Sequence, residues 1–326
     1  GKWSGFSSRS FLSAWSAAAA QAGANRVRLA GPNVSDFEPL FNGTYLRLMA
    51  RSPAAPDIHT DNLFVERVIE PEALDHRVMG RLFARPMALN LVKKARILEA
   101  LGRAEGTGVL HCSYVCWTSK RLQRRSANPQ MKAVDYLIRY LVLAASSAAL
   151  ERVYWGPLVC NRDGLIDDKA VDYPEVDQVS HYEKVRGNIA DFSITPAFAA
   201  LQTAVARLPG AHCRTLVHQV EGLSVIALDR PGERPSVVAW CRDAMAWPLS
   251  SILSDAQLVD ASYTSARGEL VPRPLVVTEH PLFIDLVEPL TELDSRAIDA
   301  AARAHIVHLS SDRNQSVARV VGSWCG

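Results

Sequence analysis

Up to residue 209 the chain alternates between helical runs and short β-rich runs, and this alternation limits the fold more than any other feature. Helical runs precede the first, third and fourth β-rich runs, at residues 11–22, 88–101 and 132–149. Each β-rich run leads into polar, Gly or Pro residues; the four runs are residues 26–30, 57–67, 109–117 and 152–155. Strands that alternate with helices are typical of parallel sheets built from βα units. The sequence therefore predicts an α/β fold over residues 1–209.

After Pro209-Gly210 the pattern changes to short strands of alternating hydrophobicity without long helices between them. Turn sequences such as residues 229–232 separate these strands, which are read at residues 223–228, 236–240, 274–278 and 282–286. Short strands at close spacing are typical of antiparallel sandwiches. We therefore predict a β-sandwich-like domain over residues 210–290. Residues 291–326 form a polar, helix-like segment and a tail to which the sequence assigns no function.

Composition excludes several classes of protein. The 326 residues are 48% hydrophobic and 21% charged, which is ordinary for a soluble globular chain. A net charge of +2 gives no reason to expect a nucleic-acid partner, and no apolar run is long enough to span a membrane. The six cysteines show no C-x-x-C spacing, which favours free thiols in a reducing, cytoplasmic compartment and no metal site. No P-loop or G-x-G-x-x-G motif is present, so no cofactor is expected.

Polar side chains follow the fourth β-rich run, where parallel strands of barrels place their chemistry. Tyr154 and Trp155 end this run, and Asn161, Arg162 and Asp163 come shortly after it. Successive side chains of a strand point to opposite faces, so only one of the two aromatic residues can face a barrel interior. Trp155 in that position would offer a flat apolar surface to a sugar ring. The alternative is that Trp155 belongs to the hydrophobic core.

Three segments of the chain, residues 135–147, 152–155 and 163–167, resemble the last βα unit of clan-A glycoside hydrolase-like TIM barrels. The similarity is greatest to glycosidases encoded in bacterial lipopolysaccharide-core and exopolysaccharide gene clusters, and it extends over residues 1–290. It implies a (β/α)₈ TIM-barrel-like fold in which the four strands correspond to barrel strands five to eight, the C-terminal half of the barrel. The opening residues 2–6 resemble those that follow the acid/base glutamate, which would then lie upstream of residue 1.

The resemblance also directs attention to catalytic candidates. In this family the seventh strand supplies a nucleophilic glutamate, whereas residues 109–117 contain Ser113, Tyr114 and Cys116 and no carboxylate. Retaining hydrolysis needs two carboxyl groups about 5–5.5 Å apart. Tyr114 could serve as nucleophile, as tyrosine does in sialidases, or could be a core residue. Glu66 would lie at the barrel mouth, or it could pair with its neighbour Arg67 on the surface.

Several further residues are candidates for binding an oligosaccharide or polysaccharide. Trp117 and Trp155 would be sugar platforms, and Arg162 and Asp163 would make polar contacts. Asn33 and Asp36, in the loop after the first strand, either reach a ligand or bond their own backbone. The basic residues of segment 120–125 could meet phosphate or an acidic sugar, or could be solvated.

Three hypotheses about function follow. The first is a glycoside hydrolase-like protein that acts on a bacterial polysaccharide or lipopolysaccharide-type glycan. The second is a non-catalytic glycan-binding or assembly protein that keeps the fold without the seventh-strand carboxylate. The third is an α/β enzyme of other chemistry.

Overall fold

The computed structural model describes residues 8–25, 27–34, 37–51, 55–63, 70–73, 89–161, 163–169, 188–220, 222–292 and 294–303. The chain divides into two compact units, residues 1–198 and 199–326. The sequence placed this boundary about ten residues later, at Pro209-Gly210. The difference arises because the last turns of the preceding helix belong to the second unit, where Arg207 donates two hydrogen bonds to Asp285.

The first unit contains helices and parallel strands in alternation. Its main elements are α1 (Ser8–Asn25), β1 (Ala30–Val34), α2 (Pro39–Ala50), β2 (Ile58–Asp61), α3 (Leu91–Ala104), β3 (Leu110–Val115), α4 (Ser119–Leu122), α5 (Pro129–Ser146) and β4 (Arg152–Trp155). A short antiparallel pair, β5 (Ile166–Asp167) and β6 (Ser193–Ile194), follows and leads to α6 (Pro196–Arg207). Asn90 and Asn128 cap α3 and α5 by accepting hydrogen bonds from the backbone N–H groups of Lys93 and Met131.

The four strands β1 to β4 form one parallel sheet in sequence order. This confirms the α/β expectation for the first unit, and β4 coincides with the run read from the sequence. The first strand was expected at residues 26–30 but is observed at Ala30–Val34 and contains Pro32. Pro lacks an N–H donor and is tolerated on edge strands. Among the described strands β1 lies at the edge of the sheet, so Pro32 fits within it.

Helices pack against one face of this parallel sheet. From β2, His59 Nδ1 lies 3.1 Å from the carbonyl oxygen of Leu98 in α3, and Asp61 accepts a 2.7 Å hydrogen bond from Asn42 in α2. From β3, Cys112 Sγ lies 3.3 Å from the hydroxyl of Tyr140 in α5. The strand residues His59, Asp61 and Cys112 are all fully buried by these helices.

The opposite face of the sheet, called the open face below, consists of Ala30, Asn33, Ile58, Thr60, His111, Ser113, Arg152 and Tyr154. Tyr154 is 48% exposed and the Arg152 side chain 62% exposed. Parallel sheets are normally covered on both faces, by helices on each side or by closure into a barrel. Among the described residues of the first unit, the helices that contact the sheet lie on one face, and the (β/α)₈ barrel expected from the sequence stays a prediction.

The second unit is built around a six-stranded antiparallel sheet, which confirms the antiparallel expectation for this region. The strand order is β12-β11-β14-β9-β8-β7, where the strands are β7 (His212–Val220), β8 (Leu223–Asp229), β9 (Ser236–Cys241), β11 (Ser262–Ser265), β12 (Leu270–Val271) and β14 (Leu282–Asp285). A separate two-stranded ladder joins β10 (Trp247–Pro248) to β13 (Val276–Val277), and a short helix, α7, spans Asp255–Leu258. Ile298 and Ala302, from a helical stretch at residues 294–303, join the core of this sheet.

Candidate functional site

Two cavities of the first unit contain the polar and aromatic residues of interest. The first lies on the open face and has a volume of about 650 Å³. The second, called the tryptophan pocket below, has a volume of about 50 Å³ and lies where β3 and β4 end and α5 begins. Its lining includes Trp117, Trp155, Gln130, Asn161, Asp163 and Asp167.

Stacked aromatic rings form the base of the tryptophan pocket. The indole rings of Trp117 and Trp155 lie 5.9 Å apart at an interplanar angle of 29°. Trp117 is buried and meets Tyr136 and Tyr140 of α5 edge to face, at 5.4 and 5.9 Å. Such pairs stabilise packing beyond the area they bury. The half-buried Trp155 is therefore held in place by an aromatic cluster.

Acidic and amide groups form the polar side of the same pocket. Asp163 is buried, while Asn161 and Asp167 are half-buried. Burial acts to raise the pKa of Asp167, but hydrogen bonds from the side chain and backbone N–H of Lys169 outweigh it and hold the pKa below its usual value. The turn between these acids is tight, since a Cβ on Gly164 would lie 2.4 Å from the backbone nitrogen of Cys160.

The two cavities differ in volume, and the difference decides which of them can hold a sugar ring. A volume of 50 Å³ leaves room for no more than a few water molecules. Cavities that bind small ligands span about 300–1,000 Å³, a range that includes the 650 Å³ of the open face. In this conformation the tryptophan pocket cannot enclose a sugar ring, whereas the open face can receive one.

Hydroxyl and amide groups gather near the carboxyl end of the open face. Ser113 Oγ lies 2.5 Å from the side-chain oxygen of Asn33 and 2.7 Å from that of Asn62. A serine hydroxyl has one hydrogen, so it donates to one amide and can only accept from the amino group of the other. Thr60 in β2 donates to the carbonyl oxygen of Pro32 at 3.0 Å. The arrangement ties β1, β2 and β3 together through polar side chains.

Charged groups lie toward the amino end of the open face. His111 is buried, and its Nε2 lies 3.4 Å from a carboxylate oxygen of Glu151, which is also 3.8 Å from Nε of Arg152. The ring of Tyr154 lies 6.0 Å from that of His111, at an angle of 58°. Arg28, immediately before β1, is exposed and lines the same cavity. This end of the face therefore presents two guanidinium groups to solvent.

The candidate residues from the sequence are distributed over both cavities. Asn33 lies on the open face, whereas Trp117, Trp155 and Asp163 line the tryptophan pocket. The Tyr114 hydroxyl lies 3.0 Å from Sγ of Cys116 and belongs to neither lining. The remaining three candidates, Asp36, Glu66 and Arg162, lie outside the described residues, so the roles expected for them stay predictions.

Strand alternation left open whether Tyr154 or Trp155 faces the would-be barrel interior. The structure places Tyr154 on the open face, and Trp155 lines the tryptophan pocket beside α5. His111, Arg152 and Arg28 were not singled out from the sequence. The sequence pattern that could have identified His111 and Arg152 is strand alternation. His111 lies two residues before Ser113, and Arg152 two residues before Tyr154, so each pair shares one face of its strand.

No protein-family model matches this chain, and no curated protein matches it either. None of the described helices combines the length and apolar character needed to cross a membrane.

Proposed function

We propose that the first unit binds a bacterial polysaccharide or lipopolysaccharide-type glycan on its open face, as a glycoside hydrolase-like protein. One observation carries this proposal: the half-exposed ring of Tyr154 lies in a 650 Å³ cavity together with amide, hydroxyl and guanidinium groups.

Each of these groups has a counterpart in an acidic sugar. The exposed face of an aromatic ring packs against the C–H face of a pyranose while its hydroxyl stays in contact with water. The exposed amide of Asn33 and the acceptor lone pairs of the Thr60 and Ser113 hydroxyls are groups of the kind that sugar hydroxyls pair with. Arg28 and Arg152 suit phosphate or carboxylate substituents, because a guanidinium group can bind two of their oxygens at once.

Binding is better supported than hydrolysis. Glycosidases of the usual kind need a pair of carboxyl groups on either side of the scissile bond. The described lining of the open face includes no Asp or Glu, and Glu151 approaches it only through His111 and Arg152. The two acids Asp163 and Asp167 line the smaller tryptophan pocket instead. These features favour the non-catalytic alternative.

The binding test compares the two neighbouring aromatic residues of β4. Calorimetric titration with a phosphorylated or uronate-containing oligosaccharide should show affinity that falls about tenfold in Tyr154→Ala, because the stacking surface is lost. A neutral oligosaccharide of equal length should bind more weakly, since the arginines then lack a counter-charge. Trp155→Phe is the matched control and should leave affinity unchanged. Affinity lost with Trp155→Phe and kept with Tyr154→Ala would place the glycan in the tryptophan pocket and overturn the proposed site.

The catalytic hypothesis has its own assay. We expect no measurable turnover of simple aryl glycosides, because no seventh-strand carboxylate is present in residues 109–117. Robust turnover that disappears in Tyr114→Phe would identify a tyrosine nucleophile. Turnover that disappears in Glu66→Gln would identify Glu66 as the catalytic carboxylate. Either result would replace the binding proposal with hydrolysis.

A further inference from the structure

Three side chains at the amino end of the open face, His111, Glu151 and Arg152, are in mutual contact and are called the charged triad below. His111 of β3 and Arg152 of β4 are register partners, and the backbone N–H of Glu151 donates to the carbonyl oxygen of Leu110 at 2.9 Å. One carboxylate oxygen of Glu151 lies 3.4 Å from Nε2 of His111 and 3.8 Å from Nε of Arg152. A single oxygen therefore contacts both a ring that can take up a proton and a permanent cation.

The members of the charged triad differ in exposure. The side chain of His111 is 6% exposed, whereas those of Glu151 and Arg152 are 44% and 62% exposed. A ligand that enters the cavity from solvent therefore meets the guanidinium of Arg152 first. The buried ring of His111 acts on that ligand mainly through its charge, and charges that are partly shielded from water interact more strongly than exposed ones.

The groups around His111 single it out as the residue that changes charge near neutral pH. Histidine is the side-chain type that ordinarily takes up a proton between pH 5 and 8, and His111 is the histidine of the described lining. Arg28, before β1, adds a permanent positive charge, and Tyr154 places its ring 6.0 Å from that of His111. The carboxylate of Asp57, just before β2, accepts a 2.7 Å hydrogen bond from the backbone N–H of Leu29.

We propose that the open face binds an acidic glycan together with a proton, which His111 takes up. With the ring neutral, the charges of Glu151 and Arg152 cancel, and the acidic group of the ligand is attracted by Arg28 alone. With the ring protonated, the imidazolium pairs with Glu151, and the charged triad carries one net positive charge beside the cavity. This inference rests on the glycan-binding function proposed above and adds to it a regulation by pH.

Thermodynamic linkage fixes the sign of the effect. Protonation of His111 increases the attraction for an anion, so the affinity for an acidic ligand rises as the pH falls through the range in which histidine takes up its proton. By reciprocity, a bound anion draws a proton onto the ring by the same factor. A neutral ligand has no charge to respond to the ring, so its affinity should not depend on pH.

The test is calorimetric titration of the full chain at about pH 8 and about pH 5.5. The probe is a uronate-containing oligosaccharide, because its carboxylates stay ionised at both values. It should bind about fivefold more tightly at the lower pH, and a neutral oligosaccharide of equal length should show no change. Repeating the titration in buffers with different heats of ionisation counts the protons taken up. Uptake should accompany the acidic probe and be absent with the neutral one.

Three variants locate the source of the pH dependence. In His111→Gln the ratio of the affinities at the two pH values should fall to about one, whatever the absolute affinity. Glu151→Gln should raise the affinity for the acidic probe at about pH 8, because no carboxylate then opposes the ligand beside Arg152. A purely structural role for Glu151 would lower that affinity instead. His59→Gln, on the helix-covered face, is the matched control and should keep the fivefold ratio, with circular dichroism showing it folded at both pH values.

The possible outcomes separate this inference from the function on which it rests. Binding of the acidic probe with equal affinity at both pH values would overturn the inference and leave the glycan site in place. A pH dependence that survives in His111→Gln and disappears in folded His59→Gln would also overturn it. Absence of binding for both oligosaccharides at both pH values would overturn the proposed function and this inference together.

Discussion

The two sheets of this chain reverse the usual relation between strand direction and burial. Antiparallel sheets commonly leave one face to solvent, yet β8 and β9 of the second unit are buried on both faces. Parallel sheets are usually covered on both sides, yet β4 of the first unit alternates between exposed and half-buried residues. Within the described residues of each unit, the central antiparallel strands are buried on both faces, whereas helices contact the parallel sheet on one face.

The difference shows where the stability of each unit comes from. In the second unit, the guanidinium of Arg207 at the end of α6 lies 4.9 Å from the ring of Phe283 on one face of the sheet. Ile298 and Ala302 belong to the core on the other face. In the first unit, the fully buried strand side chains His59, Asp61 and Cys112 meet α3, α2 and α5. Truncating a side chain should therefore destabilise the antiparallel sheet far more than the open face of the parallel sheet.

The largest expected effect is on the antiparallel sheet. Phe283 is fully buried, so Phe283→Ala should lower the free energy of unfolding of the second unit by about 3–5 kcal/mol, through lost burial and the cavity left behind. The matched change on the open face, Tyr154→Ala, should cost the first unit no more than about 0.5 kcal/mol in a dilute monomer. Urea unfolding followed by circular dichroism measures both. Equal losses would show that the open face is covered within the monomer.

The next effect is the pH dependence of the free energy of unfolding, which distinguishes the helix-covered face from the open face. Burial lowers the pKa of His59 to about 4, although a hydrogen bond with Leu98 opposes this. Above pH 6.5 the imidazole is neutral in both folded and unfolded chains. Between pH 6.5 and 4 only the unfolded chain takes up the proton, so stability should fall by about 3 kcal/mol as the pH drops through this window, and no further below it.

His59→Gln should remove most of that pH dependence, since glutamine keeps a hydrogen-bond donor but does not titrate. Urea unfolding at half-unit pH intervals measures the slope. His111, on the opposite face of the sheet, provides the control through His111→Gln. A slope that survives in His59→Gln and vanishes in His111→Gln would assign the pH dependence to the open face instead.

The smallest effect tests how α6 is attached to the antiparallel sheet. Arg207 donates to both carboxylate oxygens of Asp285, at 2.6 and 3.1 Å, and both side chains are largely shielded from water. Arg207→Gln should therefore cost the second unit about 1–2 kcal/mol. The comparable pair Arg273–Asp255 is exposed and screened by solvent, so Arg273→Gln should cause a much smaller loss than Arg207→Gln. Thermal unfolding of the two variants in parallel makes the comparison.

Much of the fold could be predicted from the sequence because local residue patterns indicate most of its strands and helices. The strand at residues 152–155 is read correctly, since β-branched and aromatic residues cluster between a helix and a Gly-Pro pair. Helix α2 was missed, because Asn42, Gly43 and Thr44 are poor helix formers. The tertiary hydrogen bond from Asn42 to Asp61 supplies support that propensity does not show. Strand β7 was missed because its run mixes apolar with charged and polar residues.

The candidate site was less predictable than the fold. Alternation shows that Arg152 and Tyr154 share one face of β4, but it does not show which face the helices leave uncovered. That depends on contacts between distant segments, such as Cys112 with Tyr140. The 5.9 Å stacking of Trp155 on Trp117 likewise joins residues separated by a whole βα unit. Sequence reasoning therefore identified the aromatic pair of β4 but named Trp155 as the sugar platform, whereas Tyr154 is the member that lines the open face.

Buried cysteines occur in both units, so the reactivity of their thiols can report the opening of each unit separately. Cys112, Cys116 and Cys160 are buried in the first unit and Cys241 in the second, all as free thiols. Burial raises the pKa of the Cys112 thiol to about 12, so a thiol reagent reaches a reactive sulfur there only after the surrounding structure opens. Labelling rates resolved by peptide mass would therefore time the opening of each sheet in a single sample. The buried cysteines therefore report local unfolding separately in each unit.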